Sequence, residues 1–423
     1  MDLPFSRVKI MTTFYYFMLL SIANLCYASR FNLAREKIEV EKTLNLSKKI
    51  PLKSIKSPDG DIIDCIDIYH QPAFDHPLLK NHTIQMRPSY HPEKGLFGEN
   101  KMFDFKARSE EDTIPIFQLW QLNGSCPEGT IPIRRTSNAD VLRASSIKKN
   151  GKKKQESIPD QLSSANRTFD IQSGHEHVIA YAQGSKYYGA KAIINVWKPQ
   201  IQSPNEFSGS QIWIIGGSDS NLNTVEAGWM AHPKLFGDDR TRLFTYWTSD
   251  GYHSTGCYNL LCSGFIQVSQ KISLGAVIKP ISSYHGSQFD ITLLIWKDPR
   301  EGGWWLQYWK EVIGYWPQNL FQDLALYDSA SLVEWGGEVL NTQSDGQHTT
   351  TQMGSGHFPE EKFGGASFFK NIKVVDEHNS LRPPSELGTV VDKPKCYNIA
   401  LGKSNDWGNF FYYGGPGRSS DCP

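Results

Sequence analysis

Phe289-Asp290-Ile291-Thr292-Leu293-Leu294-Ile295-Trp296, followed after Gly302-Gly303 by Trp304-Trp305-Leu306-Gln307-Tyr308, decides the fold class. In the first run Phe289, Ile291, Leu293 and Ile295 share one parity, and Asp290, Thr292, Leu294 and Trp296 share the other. That two-residue period is the period of a strand. In the second run Trp304, Leu306, Tyr308 and Val312 share a parity, and the glycine pair between the runs suits a turn. Working outward, residues 193–197, 211–215, 243–247, 264–268 and 368–375 read as further strands. Many short strands with Gly-rich punctuation predict a mainly β region, an antiparallel sandwich or barrel. Eleven of the 12 tryptophans fall in it. A core needs some of them; several on polar-alternating strands are expected to line a concave face, because an indole suits a half-wet groove.

Upstream the pattern differs. Residues 31–50 are charged and helix-forming, with Leu33, Val40 and Leu44 on one stripe, and Pro51 ends the run. Residues 55–133 are short apolar pieces between turn signals such as Pro58-Asp59-Gly60, the pattern of a small α+β unit. Between 142 and 166 no apolar periodicity survives, and Lys148, Lys149, Lys152, Lys153 and Lys154 cluster around Gly151, so a solvated linker is expected. At the start, Arg7 and Lys9 precede an apolar run over 14–25 and the Cys26-Tyr27-Ala28 triplet. This reads as a signal peptide cut after Ala28, the rival being a membrane anchor for which the run is short. The expected organisation is therefore a signal over 1–28, a leading domain over 29–142, a linker over 143–166 and a second domain over 167–423.

Removal of the signal would leave six cysteines, Cys65, Cys126, Cys257, Cys262, Cys396 and Cys422. An even count in an exported chain implies disulfides, with about 15 pairings open. Asn45, Asn81, Asn123 and Asn166 each begin an Asn-x-Ser/Thr triplet and are candidate glycan sites. The 44 basic and 44 acidic side chains balance, so nothing favours a nucleic-acid partner, and no membrane association is expected after signal removal.

No Gly-x-Ser-x-Gly elbow, His-Glu-x-x-His helix or phosphate-binding glycine loop occurs, and the cysteines lack zinc-ribbon spacing; no cofactor or metal is expected. Carboxylates in unusual settings remain. Glu226, in Thr224-Val225-Glu226-Ala227-Gly228-Trp229, shares a strand face with Thr224 and Gly228, which leaves room for a ligand. Glu338, in Trp335-Gly336-Gly337-Glu338-Val339, follows two glycines that permit close approach of another chain. On the residues alone the favoured reading of each is a solvent-facing strand glutamate. His175-Glu176-His177 puts two imidazoles on one strand face, a spacing metals use, but with no third ligand it reads as a packed or hydrogen-bonded pair. Asp238-Asp239-Arg240-Thr241-Arg242 reads as a turn with local ion pairs.

Several runs resemble the neprosin family of secreted plant proteins. Asp59-Gly60-Asp61, the stretch from Cys65 to Tyr69, Gln71-Pro72-Ala73-Phe74-Asp75-His76-Pro77, and the stretch from Cys126 to Arg135 resemble its activation-peptide domain. Gly174 to His177, Tyr188-Gly189-Ala190, Gln211-Ile212-Trp213, Glu226-Ala227-Gly228-Trp229, Tyr246-Trp247-Thr248 through Thr255-Gly256-Cys257-Tyr258-Asn259, and Trp335-Gly336-Gly337-Glu338-Val339 resemble its catalytic domain. The resemblance implies a secreted zymogen whose leading domain is an intramolecular inhibitor. It implies a β-sandwich glutamic endopeptidase that cuts proline-containing peptides or proteins next to proline in acid, with Glu226 and Glu338 as the catalytic pair. Met230-Ala231-His232 departs from the more polar or β-branched stretch expected there, which touches specificity more than chemistry. On this reading Cys65 pairs with Cys126, Cys257 with Cys262 and Cys396 with Cys422. The leading domain would cover the cleft and leave after cleavage in the linker, loosened by acid as carboxylates across the interface protonate. The competing readings are a carbohydrate-acting or carbohydrate-binding sandwich, since two carboxylates in an aromatic groove suit sugars, and a catalytically silent relative.

Overall fold

The computed structural model describes residues 49–96, 118–144, 151–153, 174–343 and 346–423. The expected signal peptide, the helix expected after residue 30, Asn45 and Asn166 lie outside the described residues. The chain divides into two compact units, residues 1–48 with 137–150, and residues 49–136 with 151–423. In the first, a short helix, Asn138–Arg143, opens on a capping box in which Ser137 and Asp140 satisfy each other's backbone N–H groups.

The larger unit is mainly β. Its leading segment holds β1 (Lys53–Lys56), β2 (Ile62–Asp67), β3 (Tyr90–His91), β4 (Gly95–Leu96) and β5 (Thr130–Arg134). There follow β6 (His175–Tyr187), β7 (Gly189–Asn195), β8 (Ser208–Gly216), β9 (Asn223–Ala231), β10 (Arg242–Thr248), β11 (Ile266–Gln267) and β12 (Asp290–Lys297). Next come β13 (Trp304–Tyr308), β14 (Glu311–Trp316), β15 (Ala330–Leu340) and β16 (Ser367–Val375). The chain ends with β17 (Leu381–Arg382), β18 (Gly388–Val391), β19 (Asn398–Ser404) and β20 (Gly408–Gly414).

Two antiparallel sheets make the sandwich. One has six strands in the order β10-β9-β8-β15-β6-β18; the other has nine, β11-β14-β13-β12-β7-β16-β20-β19 with β17 on β16. Val178, Ile212, Val225 and Trp335 of the first meet Ile194, Leu293, Ile295 and Trp304 of the second in one apolar core. The 289–308 stretch is the β12–β13 hairpin, with Leu293 opposite Tyr308 and Ile295 opposite Leu306. Both of its parities are apolar for a reason. Leu294, Trp296, Trp305 and Tyr315 on the outer face are buried under Ala73 and Phe74 of the leading segment.

That segment is a three-stranded sheet, β1-β2-β5, with short 3-10 turns, docked on the β11–β14 end of the nine-stranded sheet. Gln71 and Gln267 exchange bonds across the contact, and the Trp296 indole N–H donates to the Tyr90 carbonyl at 2.9 Å. The turn before β10 does more than pair locally. Buried Arg242 binds Asp238 and also reaches Asp61 of the leading segment at 2.6 Å. Disulfides join Cys65 to Cys126, Cys257 to Cys262 and Cys396 to Cys422.

The expected tryptophan-lined groove is not what forms. Trp229, Trp247, Trp304, Trp316 and Trp335 fill the core between the sheets, and Trp296 and Trp305 lie under the leading segment. Burying an indole's large apolar area outweighs the benefit of a wet edge. Trp213 alone among these strand tryptophans faces the side of the six-stranded sheet that carries the glutamates.

Candidate active site

Strand alternation sends Val225, Ala227 and Trp229 of β9 into the core and leaves Glu226 on the outer face of the six-stranded sheet. The same rule puts Val333, Trp335 and Val339 of β15 inside and Glu334 and Glu338 outside. One cross-strand row runs Tyr246, Glu226, Trp213, Glu334, Tyr181, and Glu338 sits one pleat row pair further along β15, opposite Gly209 and His177. Both Glu226 and Glu338 are fully buried, so neither is the solvent-facing glutamate of the plainer reading.

What covers them is Lys153. Its ammonium lies 2.6 Å from Glu226 Oε2 and 3.5 Å from Glu338 Oε2, with 2% of its side chain exposed. Tyr246, Tyr252 and Tyr258 ring it at 5.2, 5.8 and 5.8 Å from their centroids. The expectation of a solvated linker is corrected at Gly151 and Lys153, which are buried, while Lys152 between them is exposed. Tyr258 N–H donates to the Gly151 carbonyl at 2.7 Å, and a Cβ at Gly151, whose φ is +75°, would strike Leu261 at 2.6 Å. A lysine stem enters a closed site when two carboxylates wait at its end. Among the described residues, then, the group on the glutamate pair comes from the linker, whereas the leading segment docks on the other sheet.

The two glutamates have unlike surroundings. Glu226 accepts from the Thr224 hydroxyl at 2.9 Å and the Tyr252 hydroxyl at 2.6 Å, both neutral donors. Glu338 accepts from Gln211 Nε2 at 2.7 Å and has His175 Nδ1 at 2.7 Å and His177 Nε2 at 3.9 Å. Burial by itself would raise the Glu338 carboxyl, but Lys153, His175 and His177 outweigh it and hold it well below the usual carboxylate range. Burial also opposes the Lys153 charge, yet the two carboxylates win and push it up to about 12. Glu334 has no such help. Both its oxygens lack a hydrogen-bond partner, and burial pushes it up to about 8.

The room expected beside Glu226 is taken by the protein itself: a Cβ at Gly228 would meet the Ser210 carbonyl at 2.1 Å and Gln211 Cβ at 2.6 Å. The loop after β10 brings Tyr252 and Tyr258. Asp250 ties it by accepting from Ser254 and Thr255, and the Cys257–Cys262 disulfide closes it. Lys153, Gln211, Tyr252 and the histidine pair were not assigned to this site from the sequence. The two-residue histidine spacing carried the one available signal, and in the structure His175 Nδ1 lies 2.7 Å from Glu338 Oε1. Asn81 and Asn123 are exposed, but the Asn123 amide donates to the Lys56 carbonyl at 2.7 Å.

Comparison with known proteins gives the chain's family. Residues 204–416, half of the chain, match the neprosin family, and residues 54–181 match the neprosin activation peptide. The chain is also similar to a scytalido-glutamic peptidase solved with a transition-state analogue, at 12% identity over 57% of this chain and 98% of that one, with a TM-score of 0.30. It is similar to SCP-B, a peptidase of the eqolisin family bound to a tripeptide, at 12% identity over 57% and 96% with a TM-score of 0.29. A chicken-liver agglutinin matches at 9% identity over 38% and 92%, with a TM-score of 0.21. Likenesses this distant carry no argument about chemistry. The two family matches do: this chain belongs to the neprosin family of peptidases and carries that family's activation peptide ahead of the catalytic region.

Proposed function

We propose that this protein is the exported zymogen of a glutamic endopeptidase that works in acid on proline-containing peptides. The observation that carries the reading is the sharing of one buried ammonium by Glu226 and Glu338 on a single sheet face. Amide hydrolysis needs a water made nucleophilic and a leaving nitrogen that receives a proton, so one carboxyl must be ionised and the other protonated. The surroundings supply that difference. Glu338, among imidazoles and an amide donor, is the base that takes a proton from water. Glu226, among neutral hydroxyls, holds the proton that polarises the carbonyl and then goes to nitrogen. Two carboxyls held close titrate apart, which favours a bell-shaped profile below neutral.

The same geometry supports latency. Lys153 occupies the place a water and a scissile carbonyl would need, so the linker must leave before turnover. The tyrosine faces that hold its stem offer the shape and apolar contact a proline ring requires. Three disulfides suit an oxidising destination. No helix among the described residues is long and apolar enough to cross a membrane.

The test is acid activation of the purified full chain, followed by gel analysis, N-terminal sequencing and a peptide panel with and without proline. Processed Glu226→Gln and Glu338→Gln proteins should keep the fold and lose roughly 100- to 10,000-fold in rate. Near-wild-type rates in either would remove the dyad, and release of reducing sugar in place of peptide would favour the carbohydrate reading. Equal cleavage of peptides lacking proline would remove the specificity while leaving the peptidase.

A further inference from the structure

The pairing of β18 with β6 sets Val391 opposite Val178, so Asp392 falls beside His177. Three contacts then tie the two residues. The His177 backbone N–H donates to Asp392 Oδ2 at 2.7 Å, the Asp392 N–H donates to the His177 carbonyl at 3.1 Å, and the ring Nδ1 lies 3.1 Å from the same Oδ2. A carboxylate on Nδ1 keeps the proton there and turns Nε2 toward Glu338 Oε1, 3.9 Å away. That Nε2 is buried and has no hydrogen-bond partner, and the ring is held by His175, stacked at 6.4 Å, and by the edge contact with Trp213 at 6.4 Å.

We propose that His177, held by Asp392, is a positioning residue that keeps the Glu338 carboxylate ionised and aimed once Lys153 has left the site. The proposal rests on the peptidase reading and adds to it the residue pair that sustains the base. In the zymogen the Lys153 ammonium stabilises the charge on Glu338. When the linker goes, Glu338 loses that cation, and a carboxylate at the base of a cleft holds its charge in acid more readily with another cation beside it. Among the described residues, the ionisable groups that face Glu338 leave few candidates. Glu226 on β9 and Glu334 on β15 are acids, and burial keeps Glu334 neutral in acid by pushing it up to about 8. Burial and Lys234 push His232, just after β9, down to about 3, so it stays uncharged. Tyr252 and Tyr258 are held neutral by burial and by the two glutamates. His175 and His177 on β6 remain, and His177 has the Asp392 carboxylate behind it. Burial disfavours its charge, but Asp392 and then Glu338 outweigh that and raise it above the ordinary imidazole value of 6.5. Its protonated Nε2–H then points along the open 3.9 Å gap to Glu338.

Two measurements decide the matter. The first takes acid-processed His177→Gln and Asp392→Asn proteins through kcat and KM against pH on a peptide substrate. With the cation gone, the acid limb of the kcat profile should rise by about one pH unit or more, so rates on that limb fall roughly tenfold while KM stays within about threefold. Processed, folded variants with the wild-type acid limb would overturn the proposal. The second needs neither variant to fold nor the enzyme to turn over: nitrogen NMR of the imidazoles in the intact full chain. His177 should stay doubly protonated above its ordinary value of 6.5, and titration at or below that value would overturn the proposal. A wild-type chain that cleaves no peptide sinks the peptidase reading, while the imidazole titration still decides whether His177 supplies the charge beside Glu338.

Discussion

Lys153 sets the balance of charge at the site, because one ammonium faces two carboxylates with its side chain 2% exposed. A methionine there would fill the same space among Tyr246, Tyr252 and Tyr258 but remove the cation. Glu226 and Glu338 would then lie buried together without the cation they share, and breaking a buried ion pair from one side costs about 3–5 kcal/mol. Proton uptake by one carboxyl reduces that cost, so Lys153→Met should lose roughly 3 kcal/mol at neutral pH, less in acid, by chemical denaturation of the intact chain. It should also lose latency. Without the charge pair the linker is held by tyrosine contacts and the Gly151 carbonyl bond, so unprocessed Lys153→Met protein should hydrolyse a peptide that intact wild type leaves untouched. Silence of the intact variant in a peptide assay would show that the cation is not what blocks the dyad.

At the scale of the element, β15 is the strand on which the site depends. It lies between β8 and β6, and its register sets Glu338 opposite His177 and Glu334 opposite Trp213 and Tyr181. Gly336 permits that closeness: a Cβ there would stand 2.1 Å from the Val178 carbonyl and 2.9 Å from Ile179 Cα, both backbone atoms of β6. Backbone in the middle of a sheet cannot step aside as a flexible side chain does, so Gly336→Ala must push β15 and β6 apart. Overpacking of this kind costs about 1–3 kcal/mol, and a value near the upper end is expected by thermal or denaturant unfolding. Wild-type stability in Gly336→Ala would mean that the two strands are less closely apposed than described.

At the scale of the whole molecule, the proposed activation in acid requires the leading segment to come away from the sandwich. The expected agents were carboxylates, and Asp61 does pair with Arg242 across the contact at 2.6 Å. Burial opposes ionisation of Asp61, but Arg242 and Arg134 outweigh it and hold the carboxyl below its ordinary 3.8. A depressed carboxyl contributes stability above its released-state value and loses it only as pH falls through the lower, bound value. Its window therefore opens below 3.8, in strong acid. Histidines act earlier. His82 Nε2 meets the Tyr315 hydroxyl at 2.8 Å, and His91 Nε2 meets Gln307 Oε1 at 2.7 Å with Glu93, Lys94 and Lys191 nearby. Burial lowers both imidazoles from 6.5 in the docked state. The released segment then binds protons more readily than the docked one, so docking weakens as pH falls from 6.5 through the lowered values. The Cys65–Cys126 bridge stays inside the segment and does not prevent its departure. After a nick in the linker, a His82→Gln, His91→Gln double variant should stay associated in more acid than wild type, its release midpoint lower by about half a pH unit or more. Size-exclusion chromatography across a pH series checks this, and equal midpoints would exclude the histidines as the trigger.

The period of residues 289–308, the alternation around Glu226 and Glu338 and the cysteine count are local properties, and local properties were legible in the sequence. They determined a mainly β, antiparallel chain, and the resemblance carried by the Glu-Ala-Gly-Trp and Gly-Gly-Glu runs pointed to the glutamate pair. What covers and charges that pair was decided by the tertiary structure alone. Lys153 lies 73 residues from Glu226 and 185 from Glu338, and its cluster of lysines has the composition of a solvated linker. Asp392 lies 215 residues from His177 and meets it because β18 adds to the edge of β6. The tryptophans were misjudged for the same reason. Alternation tells that two faces differ, but whether a face meets water, a second sheet or a docked segment depends on chain placed far away in sequence. The energy of burying a charge or an indole is settled only where those distant pieces meet.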